Sequence, residues 1–262
     1  MFYLSDRNGH PELFRQADGE ESVQSIATLE DSAMNARISP DGAWVLYLTG
    51  SNGWGTAQPV SLMKIPIAGG LPQLVLTSSF GAAPTFRCAR RTSKLCIIAE
   101  ETPDRTELVF TEVDPTQGRE RERARFGIGS MRAAQYDWDL SPDGTRIAIL
   151  KQSEATITLL PLDDRSIEHL TVTTWPHLHS LDWSADGHGL FVSALANEGF
   201  TLLHLDWNGD AQKLWYVKGG IRRPGDLFLP SLAPSAVSSP DGRHLAIRRQ
   251  AVDANIWLLE NF

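Results

Sequence analysis

A chain of 262 residues, 42% hydrophobic and 21% charged, holds enough apolar material for one large or two small globular domains. Its 24 basic residues face 32 acidic ones, a formal charge of -8 that excludes the electropositive surface on which nucleic-acid affinity rests and disfavours anionic membranes. No apolar run is long enough to cross a bilayer, and Met1-Phe2-Tyr3-Leu4-Ser5-Asp6 lacks the basic start and apolar stretch of a signal peptide. The expectation is a soluble chain without nucleic-acid or membrane partners, cytoplasmic by default and extracytoplasmic if it is a fragment.

In chain order, the first element is an apolar stretch at Met1 to Leu4, followed by the turn Ser5-Asp6-Arg7-Asn8-Gly9 and a strand at Glu12-Leu13-Phe14-Arg15. A repeat then sets the frame. Ser39-Pro40-Asp41-Gly42 returns as Ser141-Pro142-Asp143-Gly144, Ser184-Ala185-Asp186-Gly187 and Ser239-Pro240-Asp241-Gly242, and a degenerate copy, Ala89-Arg90-Arg91-Thr92, stands between the first two. Proline presets φ for a turn and glycine allows the left-handed residue that closes it, so each copy predicts a β-turn between two strands. The motif aspartates are turn formers first.

The flanks alternate with period two. Before the turns stand Ala36, Phe86, Trp138, Leu181 and Ala236, then Ile38, Cys88, Leu140, Trp183 and Ser238, with Arg37, Arg87, Asp139, Asp182 and Val237 between them. After the turns Val45, Leu95, Ile147, Leu190 and Leu245 form one apolar column, and Tyr47, Ile97, Ile149, Val192 and Ile247 another. On this alignment Cys88 and Cys96 fall at nonequivalent positions, and both are expected to be free thiols. Third strands follow at Leu62 to Ile65, Glu107 to Phe110, Thr156 to Leu159, Thr201 to His204 and Asn255 to Leu258. Short turns such as Ala68-Gly69-Gly70 and Asn208-Gly209-Asp210 lead to a more polar fourth strand. Four antiparallel strands fill such a period, which is the size of a propeller blade.

With its Ser-Pro-Asp-Gly turns and the segment Ser5-Asp6-Arg7-Asn8-Gly9-His10-Pro11-Glu12-Leu13, the chain resembles the TolB-like β-propeller family over nearly its whole length. The resemblance implies an all-β propeller of four-stranded antiparallel blades, and the strand count makes it either six-bladed or an incomplete piece of a larger propeller. It also implies an interaction or sensing role, such as the C-terminal propeller of a bacterial regulator, rather than an activity. A single propeller domain is expected over 1–262: an incomplete first blade (1–31), four full blades (32–225) and an incomplete last blade (226–262). The two end pieces lack a first and a fourth strand, so self-association through open blade edges is expected. Connections after second and fourth strands hold the long loops: Gly50 to Pro59, Ser78 to Pro84, Phe126 to Gln135, Ala194 to Gly199 and Gly219 to Pro234. A protein partner or small ligand is expected on that face.

Tyr136, Asp137, His177 and His179 are the candidate ligand-binding residues, at the start of first strands near the mouth of a central channel. His177-Leu178-His179 places two imidazoles on one face of a regular strand, where a cation would need further ligands such as His204. Without such convergence they read as solvated histidines, and no cofactor, metal or catalytic residue is assigned. Propeller lyases that use channel histidines with a metal supply the enzyme alternative, a polysaccharide lyase or hydrolase, and a carbohydrate- or peptide-binding module is the third reading. Arg119-Glu120-Arg121-Glu122-Arg123-Ala124-Arg125 reads as protection of an outer edge rather than as a site for an acidic partner. Trp54, Trp175 and Trp207 are candidate stacking surfaces, whereas Trp138 and Trp183 belong to the core.

Overall fold

The computed structural model describes residues 1–17, 19–30, 33–50, 59–78, 84–90, 93–129, 135–152, 154–163, 165–196, 199–218, 235–239 and 241–248. Their regular elements are strands. The first blade has three, β1 (Phe2–Ser5), β2 (Glu12–Gln16) and β3 (Val23–Thr28), in sequential order. Four-stranded blades follow: β4 (Ala33–Ile38), β5 (Trp44–Thr49), β6 (Val60–Pro66) and β7 (Gln73–Ser78); then β8 (Thr85–Cys88), β9 (Cys96–Glu101), β10 (Glu107–Asp114) and β11 (Gly118–Gly127). The next are β12 (Tyr136–Leu140), β13 (Arg146–Lys151), β14 (Thr156–Pro161) and β15 (Glu168–Thr171), and β16 (Leu178–Trp183), β17 (Gly189–Ala196), β18 (Gly199–Asp206) and β19 (Ala211–Lys218). A two-stranded ribbon, β20 (Ser235–Ser238) with β21 (Leu245–Arg248), comes last.

The fold is an all-β propeller of four-stranded antiparallel blades, with five blades where six were expected. The shortfall lies at the ribbon, because its expected third strand at Asn255 to Leu258 is outside the described residues. By compactness the chain divides into two units, Met1–Ile149 with Thr158–His169, and Leu150–Ile157 with Leu170–Phe262.

Four turns share one hydrogen-bond pattern. Ser39 Oγ donates to Asp41 Oδ1 at 2.5 Å, and Ser141, Ser184 and Ser239 each donate to the matching aspartate at 2.6 Å. The aspartates then accept the backbone N–H of Ala43, Thr145, His188 and Arg243. Thr102-Pro103-Asp104-Arg105 builds the same turn between β9 and β10, with Thr102 Oγ1 on Asp104 Oδ1 at 2.6 Å. There Arg105, at φ 60°, occupies the glycine position, and that departure hides the turn from a motif search.

The degenerate turn lies where the repeat places it, but it is one residue longer. Cys88 pairs with Cys96 across eight residues of sequence, whereas Ile38 pairs with Val45 and Trp183 with Leu190 across seven. A one-residue slip exchanges the faces of a strand. Cys96 and Ile98, not Leu95 and Ile97, therefore take the places of Val45 and Tyr47, and the expectation of free thiols fails. Cys88 and Cys96 are directly opposed, with Cα atoms 4.0 Å apart, and form a disulfide.

In the four four-stranded blades the second strand is buried on both faces rather than on one. From β5, Val45 and Tyr47 pack with Leu13 and Ile65, while Leu46 and Leu48 pack with Leu62, Phe86 and Ile98. From β9, Ile97 and Ala99 turn the other way, onto Phe110, Trp138, Leu140 and Ile147. Each interior is thus shared by adjacent sheets.

Outer strands carry a bulge at one recurring place, leaving Ile26, Val75, Arg123 and Leu214 unopposed in β3, β7, β11 and β19. Two of these bulges meet a glycine of the following blade. A Cβ on Gly69 would lie 3.1 Å from the Ile26 carbonyl oxygen, and one on Gly118 3.1 Å from that of Val75. Gly118 also sits at φ 87°, in the left-handed region. Gly118→Ala is therefore expected to cost about 1–3 kcal/mol in urea unfolding, through strain and contact together.

The turn aspartates add a pH dependence. Hydrogen bonds from Ser39, Thr102, Ser184 and Ser239 hold Asp41, Asp104, Asp186 and Asp241 below the ordinary value of 3.8. A carboxylate depressed in the folded state contributes stability that is complete above its unfolded value and is lost as pH falls through the folded one. The melting temperature should accordingly fall below about pH 4, and the slope of that acid limb should be shallower in Asp186→Asn.

Candidate functional site

Tyr136 and Asp137 open β12, which starts half-buried at these two residues and runs into the core at Trp138, Asp139 and Leu140. The Tyr136 ring stands edge-on to Phe126, centroids 5.9 Å apart, and its hydroxyl donates to the Ile128 carbonyl at 3.4 Å. Asp137 Oδ1 accepts the Trp138 N–H at 3.0 Å and lies 3.6 Å from Arg87 Nη2.

The same stretch carries a buried charge network that sequence reasoning missed. Arg87 on β8 and Asp139 on β12 belong to adjacent blades; Arg87 Nε lies 3.4 Å from Asp139 Oδ1, and Arg90 Nη2 lies 3.0 Å from Oδ2. Trp138 Nε1 donates to Thr85 Oγ1 at 2.6 Å, and its ring carries the Arg87 guanidinium on one face. Asp139 is only 2% exposed, whereas Asp137 keeps 25% of its side chain in solvent. The signal was present in the column Arg37, Arg87, Asp139, Asp182: opposite charges at one repeat position in neighbouring blades predict a pair across the seam. Asp139→Ala leaves two guanidinium groups without this partner in the interior, and should cost about 3–5 kcal/mol in equilibrium unfolding. Asp137→Ala, at the exposed end, should cost about 1 kcal/mol or less by the same measurement.

His177 and His179 lie in the other compact unit and do not share a face. Leu178 pairs with Ala194 and Ser180 with Ser193, so His179 is the extra residue of a β-bulge, which overrides strict alternation. His177 is exposed, while His179 is buried with its ring edge-to-face on Phe200, centroids 5.6 Å apart. His204 packs against Phe191 instead. Among the described residues, no three His, Cys, Asp or Glu side chains converge in the manner of metal ligands.

Of the proposed loop face, residues 51–58, 79–83, 130–134, 197–198 and 219–234, with Trp54, lie outside the described residues. Trp175 is half-buried beneath Lys213 Nζ, 5.3 Å from its centroid, and Trp207 packs on Trp183. Trp138 and Trp183 are buried, as expected of core residues. Along β11 the arginines are matched within the sheet: Arg119 by Glu100, Arg121 and Arg123 by Glu112, and Arg125 by Glu107 and Glu122. An open groove of about 310 Å³ lies beside this strand, bounded by Lys94, Glu112, Asp114, Glu120, Arg123 and Gly144.

Sequence reasoning also passed over β19. Leu214, Trp215 and Tyr216 are consecutive and 41%, 37% and 48% exposed, on an outer strand whose period-two pattern is broken by the bulge at Leu214.

The fold is TolB-like. TolB from Acinetobacter baumannii aligns with a TM-score of 0.60 at 17% identity over 80% of this chain and 49% of that one, so the chain spans about half the length of that structure. A Bacteroides uniformis protein assigned as a 6-phosphogluconolactonase gives a TM-score of 0.57 at 16% identity, over 92% of this chain and 71% of that one. An oligogalacturonate lyase in complex with manganese gives 0.56 at 13% identity, over 92% and 65%. No protein-family model and no curated protein sequence matches. At such identities the likeness extends to the fold alone, and one fold serves proteins of unlike function.

Proposed function

We propose that this chain is a noncatalytic propeller scaffold that holds a protein partner, as one part of a larger bacterial regulatory protein. The observation that carries the reading is the exposed row Leu214, Trp215 and Tyr216 on the outer strand β19. Water-exposed tryptophan and tyrosine beside a lysine have the composition of binding hot spots, and a rigid sheet presents them without an ordering cost. Arg87, Arg90 and Asp139 are meanwhile engaged in tying two blades together, which is a structural use of groups that could otherwise do chemistry. Of the four candidate ligand residues, Tyr136, Asp137 and His177 keep the solvent access through which a small ligand would be met, and His179 does not.

Affinity purification from native cell extract tests the reading, with wild type beside a Trp215→Ser, Tyr216→Ser double variant whose fold is checked by circular dichroism. A protein retained near stoichiometrically by wild type, and reduced about tenfold or more by the variant, is the expected result. Multiple turnover of a sugar lactone, or of oligogalacturonate with manganese, by the purified chain would overturn it.

A further inference from the structure

Among the described residues, which do not include 219–234 or 249–262, what meets an outer edge differs from blade to blade. Those of β3 and β7 are met at their bulges by Gly69 and Gly118, and the last residue of β15 is met in the same way, Gly209 lying where its Cβ would stand 3.0 Å from the Thr171 carbonyl oxygen. On β11 the arginines pair with Glu112 and Glu107 of the neighbouring β10 and with Glu122 of β11 itself. For β19, no strand among the described residues pairs with its outer edge, and after the bulge at Leu214 the register runs evenly from Trp215 to Lys218. Four residues in regular register offer alternate N–H and C=O groups outward, enough for a short added strand.

The charge pattern selects the occupant. Lys213 and Lys218 bracket the apolar row, and the Lys213 ammonium is already held in place over the Trp175 ring. Edge lysines discourage a strand from pairing with its own kind. A second copy would bring two more lysines on a chain of net charge -8, and offers no carboxylate at this strand. We propose that the outer edge of β19 takes up an extended segment of a partner protein, apolar in its middle and carrying carboxylates at its ends, which adds as a further strand. This rests on the scaffold reading above and names the chemistry of its partner.

The test uses the intact chain and three synthetic peptides: acetyl-Glu-Val-Thr-Val-Glu-amide, its analogue with lysine at both ends, and its analogue with proline in the middle. The acidic peptide should bind with a Kd on the order of 0.1–1 mM in titration, and the lysine peptide about tenfold or more weakly. The proline peptide, lacking a central N–H, should not bind measurably. Hydrogen exchange should slow at alternate amides between Trp215 and Lys218 in the acidic complex, a change that side-chain contact alone does not produce. Lys218→Glu should shift the preference toward the lysine peptide. Equal binding of all three peptides, unchanged amide exchange, or a dimer in sedimentation that Trp215→Ser dissolves would each overturn the proposal. A partner captured from extract and lost in the double variant, with no peptide binding, leaves the scaffold reading intact and removes the strand-addition one.

Discussion

Two-sided burial of the second strand is the constraint from which the rest of this molecule follows. Val45 and Tyr47 enter one interior and Leu46 and Leu48 the next, so the blade that contains β5 cannot cover its own apolar side chains. Burying one such side chain stabilises by about 1.5–3 kcal/mol, against roughly 0–1 kcal/mol for an exposed ion pair. The seams between blades therefore decide stability, and the ion pairs along β11 do not. It also follows that nothing bulky can stand between adjacent outer strands, which is why the bulge carbonyls of Ile26 and Val75 face Gly69 and Gly118.

What was legible in the sequence is the part that repeats with local cause. The Ser-Pro-Asp-Gly turns are self-contained: serine, aspartate and glycine satisfy one another within a few residues, so the same letters give the same bonds at Ser39, Ser141, Ser184 and Ser239. Strand order and the apolar columns around these turns followed. Illegible were single-residue insertions. One extra residue after Cys88 exchanged the faces of β9 and brought two cysteines into a disulfide; one extra residue at His179 separated two histidines that strict alternation would have placed together. A motif search registers a turn's letters but not its length, and a bulge has no letters of its own.

The candidate site shows the same division. Tyr136 and Asp137 were found because they stand at the start of a first strand, but Arg87, the partner of Asp137, comes from the preceding blade, about fifty residues earlier in sequence. Only a comparison of charges down a repeat column, rather than along the chain, connects Arg87 with Asp139. Buried charges of this kind are costly to desolvate and expensive to break singly, so the pair fixes which blades adjoin more than it adds to net stability.

Edges pose the opposite problem, since an outer strand must stay soluble without being covered. β11 meets it with alternating charge, at the cost of a surface whose arginines are already matched and have little left to offer a partner. β19 shares the bulge of β11 but departs from that solution: its lysines oppose self-association, and between them it leaves tryptophan and tyrosine in water. Exposed aromatic surface gives up hydrophobic stabilisation that a polar strand would not forgo. An edge that keeps both the protective lysines and the apolar row would be guarded against copies of itself while open to a strand of opposite charge, which is the selectivity the proposed docking requires.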